Sequence, residues 1–86
     1  MDVFGQTASG SKYLVSVGSE TTVLDFKTVM AALMPRDGQI PVAEQRVAFD
    51  GKILRDSDLI SGIENVREGS ALFVMAKTRG KWADQP

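Results

Sequence analysis

The chain has 86 residues, of which 43% are hydrophobic and 24% are charged, the size and composition of one ordinary globular domain. Ten Lys and Arg against eleven Asp and Glu give a net charge of -1, which argues against a general nucleic-acid or anionic-membrane binder. The absence of Cys and His excludes disulfides, thiolate metal sites, cysteine nucleophiles and the usual general base of neutral pH, so we predict no enzyme, no metal site and no cofactor.

Two stretches near the N-terminus have the alternation of β-strands. Residues 1–7 show a weak period of two, and residues 12–17 resume it with Val15 and Val17 on the face expected to be buried. Gly10 lies in the short connection and can adopt the positive φ that tight hairpins require. The sequence therefore predicts an N-terminal β-hairpin.

The next segment has the start, the stripe and the stop of one amphipathic helix. Thr22 and Asp25 fit a capping box, in which each side chain accepts a hydrogen bond from the backbone of the other residue. Pro35 ends the helix, because its ring disfavours the helical conformation in the preceding residue. Apolar residues recur between these limits at helical spacing: Val23, Phe26, Met30, Leu33 and Met34.

A second hairpin is predicted after the helix. Residues 36–44 form a loop, and residues 45–49 form a short strand. Asp50-Gly51 is typical of a two-residue turn, and residues 52–54 are its returning strand.

The rest of the chain predicts one more strand. Residues 55–67 are irregular with one helical turn, and residues 70–77 alternate as a strand. The resulting order ββαβββ indicates an α+β domain in which one helix covers one face of a mixed sheet.

The predicted core consists of the inward positions of the strands and of the helix: Val3, Val15, Val17, Phe26, Met30, Val47, Leu54, Leu59, Leu72 and Val74. Ala76 is predicted to share the inward face of Leu72 and Val74, whereas Leu14 points outwards.

The order of these elements and several short segments resemble ubiquitin. Positions 1–30 align with ubiquitin without a gap. Further similar segments occur in the same order: Ile40-Pro41, Gln45-Arg46, Phe49, Gly51-Lys52, Leu54, Asp56, Leu59, Glu68-Gly69-Ser70-Ala71-Leu72 and Arg79-Gly80. The resemblance implies the ubiquitin-like β-grasp fold, a mixed sheet of four or five strands packed on one main helix. It places the domain at residues 1–79 and a flexible C-terminal tail at residues 80–86.

The resemblance also implies a protein-binding surface on the sheet face that the helix leaves open. Ala8, Ala48 and Met75 stand at the positions of ubiquitin's apolar recognition trio; two of them are reduced to methyl groups, so ubiquitin receptors are expected to bind poorly. The predicted protein-binding residues are Ala8, Arg46, Ala48, Lys52, Phe73, Met75 and Lys77. The apolar members form a centre and the basic members a rim for acidic partners. The alternative is a set of isolated surface apolar residues and solvated charges, which need no partner.

Three charged residues after the hairpin have structural interpretations. By its position in the resemblance, Lys27 is expected to be a partly buried ammonium with a carboxylate partner. Asp56 and Asp58 lie two residues apart with no third ligand, so we interpret them as solvated turn residues rather than as a metal or acid–base pair.

The end of the sequence separates two functional hypotheses. Ubiquitin ends in an exposed Gly-Gly, whereas here Gly80 is followed by Lys81 and Trp82, whose bulk would obstruct the channel of an activating enzyme. The resemblance therefore implies a protein-interaction module that is not conjugated as it stands. The alternative is a precursor that is processed after Gly80 and attached to target lysines.

The expected partners are other proteins, of the ubiquitin-receptor, proteasome or ligase type, and the domain is expected to be a monomer. No targeting signal and no run of about 20 apolar residues is present. We expect no nucleic acid or membrane as a partner, and a cytoplasmic or nuclear location.

Overall fold

A computed structural model describes residues 1–77 of the chain. These residues form the following elements: β1 (Asp2–Thr7), β2 (Lys12–Ser16), α1 (Val23–Leu33), β3 (Gln45–Phe49), β4 (Lys52–Ile53) and β5 (Ala71–Ala76). The sheet order is β2-β1-β5-β3-β4, with β1 parallel to β5 and the other neighbours antiparallel. The predicted α+β class, with one main helix on a mixed sheet, is confirmed. The predicted flexible tail lies outside the described residues.

Three short 3₁₀ turns interrupt the connections. Arg36–Gly38 and Val42–Glu44 lie in the predicted loop after the helix, and Ile60–Gly62 is the predicted single turn before the last strand. No helix in residues 1–77 is long and apolar enough to cross a membrane.

Helix α1 begins with the predicted capping box. The Asp25 amide donates to Thr22 Oγ1 at 3.1 Å, and the Thr22 amide donates to Asp25 Oδ2 at 3.0 Å. The backbone amides of the next two residues donate to carbonyls of a distant loop: Val23 donates to Asp58 and Leu24 donates to Asp56. The start of the helix is therefore satisfied both by its own side chains and by the chain that precedes β5.

The core agrees with the predicted set at nine positions. Those nine residues are buried: Val3, Val15, Val17, Phe26, Met30, Val47, Leu54, Leu72 and Val74. Val23, Met34 and Ile60 complete it. Phe26 and Met30 are fully buried under the sheet, so the helix stripe is the main contact between the two layers.

The prediction that Leu59 is a core residue is wrong. Leu59 is 44% exposed, whereas its neighbour Ile60 is completely buried. The backbone explains the exchange: Leu59 forms a bridge with Thr22, and the Ile60 amide donates to the Thr21 carbonyl at 3.0 Å. These two attachments turn the Ile60 side chain inwards and leave Leu59 at the surface.

Two further inward assignments are wrong because they fall at the ends of elements. Leu33, in the last turn of α1, is exposed, whereas Met34, the next residue of the predicted stripe, is buried as expected. Ala76 ends β5 opposite Gln45 and is exposed at the margin of the sheet.

The predicted carboxylate partner of Lys27 is Asp56. Lys27 Nζ donates to Asp56 Oδ1 at 2.6 Å, and the lysine is buried while Asp56 remains open to solvent. Asp56 is thus exposed, as predicted, but it also holds a buried cation, which the sequence interpretation did not assign to it. Asp58 accepts a hydrogen bond from the Arg55 amide at 3.0 Å and stabilises the turn.

One buried amide connects three parts of the domain. Gln45 is fully buried, and its Nε2 donates to the carbonyls of Lys27 and Ile40, both at 2.9 Å. The first bond reaches helix α1 and the second reaches the loop before β3. Because an unpaired buried polar group is costly, these two bonds favour one position of the helix over the sheet.

Gly5 provides the space that Met30 occupies. A Cβ at position 5 would lie 2.3 Å from Met30 Sδ and 3.1 Å from Phe26 Cζ. The absence of a side chain on β1 is therefore required by close packing against the helix.

A pair of leucine truncations tests the assignment of the two sheet faces. Leu72→Ala should lower the free energy of unfolding by about 2–5 kcal/mol, because it leaves a cavity in the core. Leu14 is 56% exposed, so Leu14→Ala should lower the free energy of unfolding by only about 0.5 kcal/mol. Equilibrium denaturation by urea measures both values, and equal losses would contradict the assignment.

A glycine substitution tests the contact between β1 and the helix. Gly5→Ala should lower the free energy of unfolding by about 1–3 kcal/mol through overpacking. Adding Met30→Val removes the clashing thioether, so the double variant should lose less than the sum of the single variants. Gly38→Ala is the matched control, because a Cβ there meets no atom within 4 Å. Additive losses at positions 5 and 30 would show that the two residues are not coupled.

Candidate protein-binding surface

Helix α1 covers one face of the sheet, and strand alternation turns every second residue to the other face, here called the open face. On β5 the alternation is plain: Leu72 and Val74 are buried, and Phe73 between them is 48% exposed. Pairing with β5 and its neighbours extends the open face across all five strands. Its side chains are Asp2, Phe4, Gln6, Lys12, Leu14, Ser16, Arg46, Ala48, Ile53, Ala71, Phe73 and Met75.

The centre of the open face is a row of three apolar residues on adjacent strands, here called the central row. Ala48 on β3 lies opposite Phe73 on β5 and opposite Ile53 on β4. Phe73 and Ile53 are 48% and 54% exposed, whereas Ala48 between them is half-buried. Directly opposed residues have Cβ atoms about 4.5–5.5 Å apart, so the three side chains form a continuous apolar surface.

The structure brings most of the predicted binding residues to this surface. Met75 lies opposite Arg46, two residues along the strands from the central row. Lys77 follows β5, and its amide donates to the Glu44 carbonyl at 2.7 Å. Ala8 is exposed in the turn after β1, at the edge of this group.

Lys52 is a predicted binding residue that the strand register separates from the central row. It lies opposite Phe49, on the alternate position of the hairpin, while Ile53 lies opposite Ala48. Asp50 and Gly51 both have positive φ, of 54° and 79°, which is typical of a two-residue turn that pairs the residues on either side of it. That turn is readable from the sequence, so the alternation beyond it could have identified Ile53.

A second apolar group lies at the other end of the open face; the sequence interpretation placed Leu14 outwards but did not assign this group to the binding surface. Phe4 on β1 lies opposite Leu14 on β2, and Leu14 is strongly exposed. Lys12 Nζ lies 5.8 Å from the centre of the Phe4 ring, within the range of a cation–π contact.

Positive charge lies at both ends of the central row. Arg46 and Lys77 lie at the end where β3 begins, and Lys52 lies at the other end, directly after the hairpin turn. All three are exposed, and they form no ion pair with any other residue of the described part of the chain. Asp50 lies in the same turn as Lys52, with its carboxylate 3.5 Å from Asn65 Nδ2. The open face therefore has an apolar centre, one end with two cations, and a turn end where a cation lies near an anion.

Among the grooves of the described residues, one lies apart from the central row and another borders its member Ile53. One, of about 260 Å³, lies between the first hairpin turn and the end of α1 and is lined by Ala8, Tyr13, Met34 and Ile40. The other, of about 450 Å³, lies beside β4 and Leu59. Residues 1–77 hold no group of three acidic side chains that could bind a metal ion.

The predicted processing site cannot be located on this surface, because Gly80 and the residues around it, Arg79, Lys81 and Trp82, lie outside the described residues.

Comparison with known proteins agrees with this fold. Residues 4–79 match the Ubiquitin family. The chain is 36% identical over 64 residues to the Ubiquitin domain-containing protein DSK2 of Saccharomyces cerevisiae, a match that covers 74% of this chain and 16% of that protein. The crystal structure of the UBL domain of Plasmodium falciparum Dsk2 is similar with a TM-score of 0.75 and 30% sequence identity, covering 90% of this chain and 97% of that one. The chain belongs to the ubiquitin family, and it has the ubiquitin-like β-grasp fold that the sequence resemblance implied.

Proposed function

We propose that this ubiquitin-like domain is a protein-interaction module that binds its partners through the open face. The observation that carries the proposal is the central row, in which Phe73 and Ile53 are about half exposed on either side of Ala48. Large apolar side chains at the centre of a polar surface are typical of binding hot spots.

The three residues of the central row are neighbours, which supports a protein interface rather than isolated surface residues. Neighbouring strands lie about 4.8 Å apart, so the side chains of the central row touch a common apolar area rather than three separate ones. Met75 extends this area along β5, and Arg46 and Lys77 border it. Exposed charges at the border of an apolar centre speed the approach of acidic partners and fix their orientation.

The class of partner is proposed from the family. Ubiquitin-like domains of this kind recruit proteasomes, ligases or ubiquitin receptors; by name, the yeast relative DSK2 contains a ubiquitin domain and the Plasmodium falciparum structure is a UBL domain. The chain spans 16% of the length of the yeast relative, so a role as the recruiting domain of a longer protein remains part of the proposal. We place its action in the cytoplasm or the nucleus, where those partners work.

We also propose that the domain is not conjugated to other proteins as it stands. The support is the sequence Gly80-Lys81-Trp82, in which two bulky residues follow the glycine that a conjugating enzyme would need at the terminus. Cleavage after Gly80 would remove this obstacle.

A pair of exposed apolar residues tests the binding face. Phe73→Ala should weaken binding to purified 26S proteasomes about 10- to 100-fold, because it removes the largest anchor of the central row without touching the core. Leu33→Ala is the matched control: Leu33 is 43% exposed, similar to Phe73, but lies on helix α1. Proteasome capture by the immobilised variants at equal loading measures both effects. A loss with Leu33→Ala and none with Phe73→Ala would move the binding surface to the helix.

Amide shifts of the isotope-labelled domain provide the second readout for the same proposal. Titration with the purified proteasome subunit that captures the domain should shift the amides of β3, β4 and β5. Shifts confined to α1 and the loop at residues 35–44 would contradict the proposed face.

A charging assay tests the proposal about conjugation. Incubated with ubiquitin-activating enzyme and ATP, the chain that ends at Pro86 should form no thioester, because Trp82 is too wide for a channel shaped around glycine. A non-reducing gel detects the thioester band, and ubiquitin itself is the positive control. Charging of a version truncated after Gly80 would favour the precursor hypothesis, and charging of the full chain would rule out the obstruction.

A further inference from the structure

The central row is a notch rather than a flat patch. Its middle residue, Ala48, is a methyl group, and the residues on both sides, Phe73 and Ile53, are large and about half exposed. Two interstrand spacings separate the backbones of these two walls by about 10 Å. A carbon atom held above Ala48 therefore lies about 4–5 Å from either wall, which is van der Waals range for a side chain that fills the space.

We propose that the open face selects an acidic partner segment that inserts one large apolar side chain into this notch. The inference rests on the proposed function, since it uses the same face. It adds the size of the anchor residue, the charge of its neighbours and the residue that sets specificity, Ala48.

The size of the anchor follows from packing. A partner that placed Ala or Gly above Ala48 would leave a void between Phe73 and Ile53, and the atoms that line a void lose their contacts. A Leu, Met or aromatic side chain contacts both walls and the Ala48 methyl group at once. Because Ala48 is small, Phe73 and Ile53 supply most of the apolar contact area. The partner must therefore supply the large side chain that fills the space above Ala48.

The charge of the segment follows from the distribution of ionised residues. The whole chain has a net charge of -1, yet Arg46 and Lys77 lie together at one end of the central row without an ion pair in residues 1–77. At the other end of β3, the single cation Lys52 lies in the same hairpin turn as Asp50, so the two charges offset each other. Acidic residues of the partner are therefore favoured at the Arg46 end of the notch over the turn end, which gives the bound segment a direction.

Peptide selection followed by a size exchange tests the inference. A random peptide library displayed on phage is selected against the folded domain, and the enriched peptides are synthesised. We expect them to share one large apolar residue beside Asp or Glu, and to shift the amides of Ala48, Ile53 and Phe73. Replacing that residue of the peptide by Ala should weaken binding at least about tenfold.

The variant Ala48→Ile fills the notch and should reverse the preference for a large anchor residue. It should bind the selected peptide at least about tenfold more weakly than the original domain does, and should prefer the peptide whose anchor is replaced by Ala. Ala32→Ile is the matched control, because Ala32 is exposed on helix α1, and it should leave the affinity unchanged. If Ala48→Ile does not fold, as judged by its amide spectrum, Ile53→Ala removes one wall of the notch and should reduce the preference for a large anchor.

The outcomes separate the two proposals. Selected peptides that bind the open face with Ala or Gly as the anchor, or that bind Ala48→Ile as tightly as the original domain, would overturn the notch and leave the binding face intact. Peptides that shift only amides outside the open face would count against both proposals. A selection that enriches no peptide would overturn the notch, while the proteasome assay decides the proposed function independently.

Discussion

The packing of helix α1 on one face of the sheet is the contact on which the rest of the structure depends. Phe26 and Met30 fill the space between the two layers, and Gly5 makes that space by having no side chain. The amide of Gln45 joins the helix and the following loop to β3. Because burial is confined to one face, strand alternation leaves the other face free, and that face becomes the surface a partner can meet.

The first half of helix α1 is held by chain that is distant in sequence. Backbone carbonyls of Asp56 and Asp58 accept from the first amides of α1, and Asp56 also binds the ammonium of Lys27. The irregular segment before β5 is thereby attached to the helix, which explains why a region with little regular structure contributes Ile60 to the core. A substitution there would act on the position of the helix rather than on the open face.

The chain has the fold of the ubiquitin family, and its buried layer and its open face are under different constraints. The buried positions and the Lys27–Asp56 pair hold the helix, the sheet and the loop before β5 together. On the open face, which we propose as the surface for partners, Ala48 is small and its cross-strand neighbours Phe73 and Ile53 are large. Substitutions on this face alter the shape a partner must have at almost no cost to the fold, because exposed positions contribute little to stability.

The sequence by itself determined the features that depend on residues close together in the chain. These are the strands, through alternation, and the helix, through the Thr22–Asp25 box and Pro35. The outward position of Phe73 follows from the same alternation. Tertiary structure decided what depends on contacts across the chain. Leu59 and Ile60 exchanged places because backbone bonds to a distant segment orient them, which no local periodicity reports. The notch likewise exists only through pairing, since its walls come from two different strands that flank Ala48. A periodic pattern records which face a side chain takes, and only the register between strands decides which side chains become neighbours.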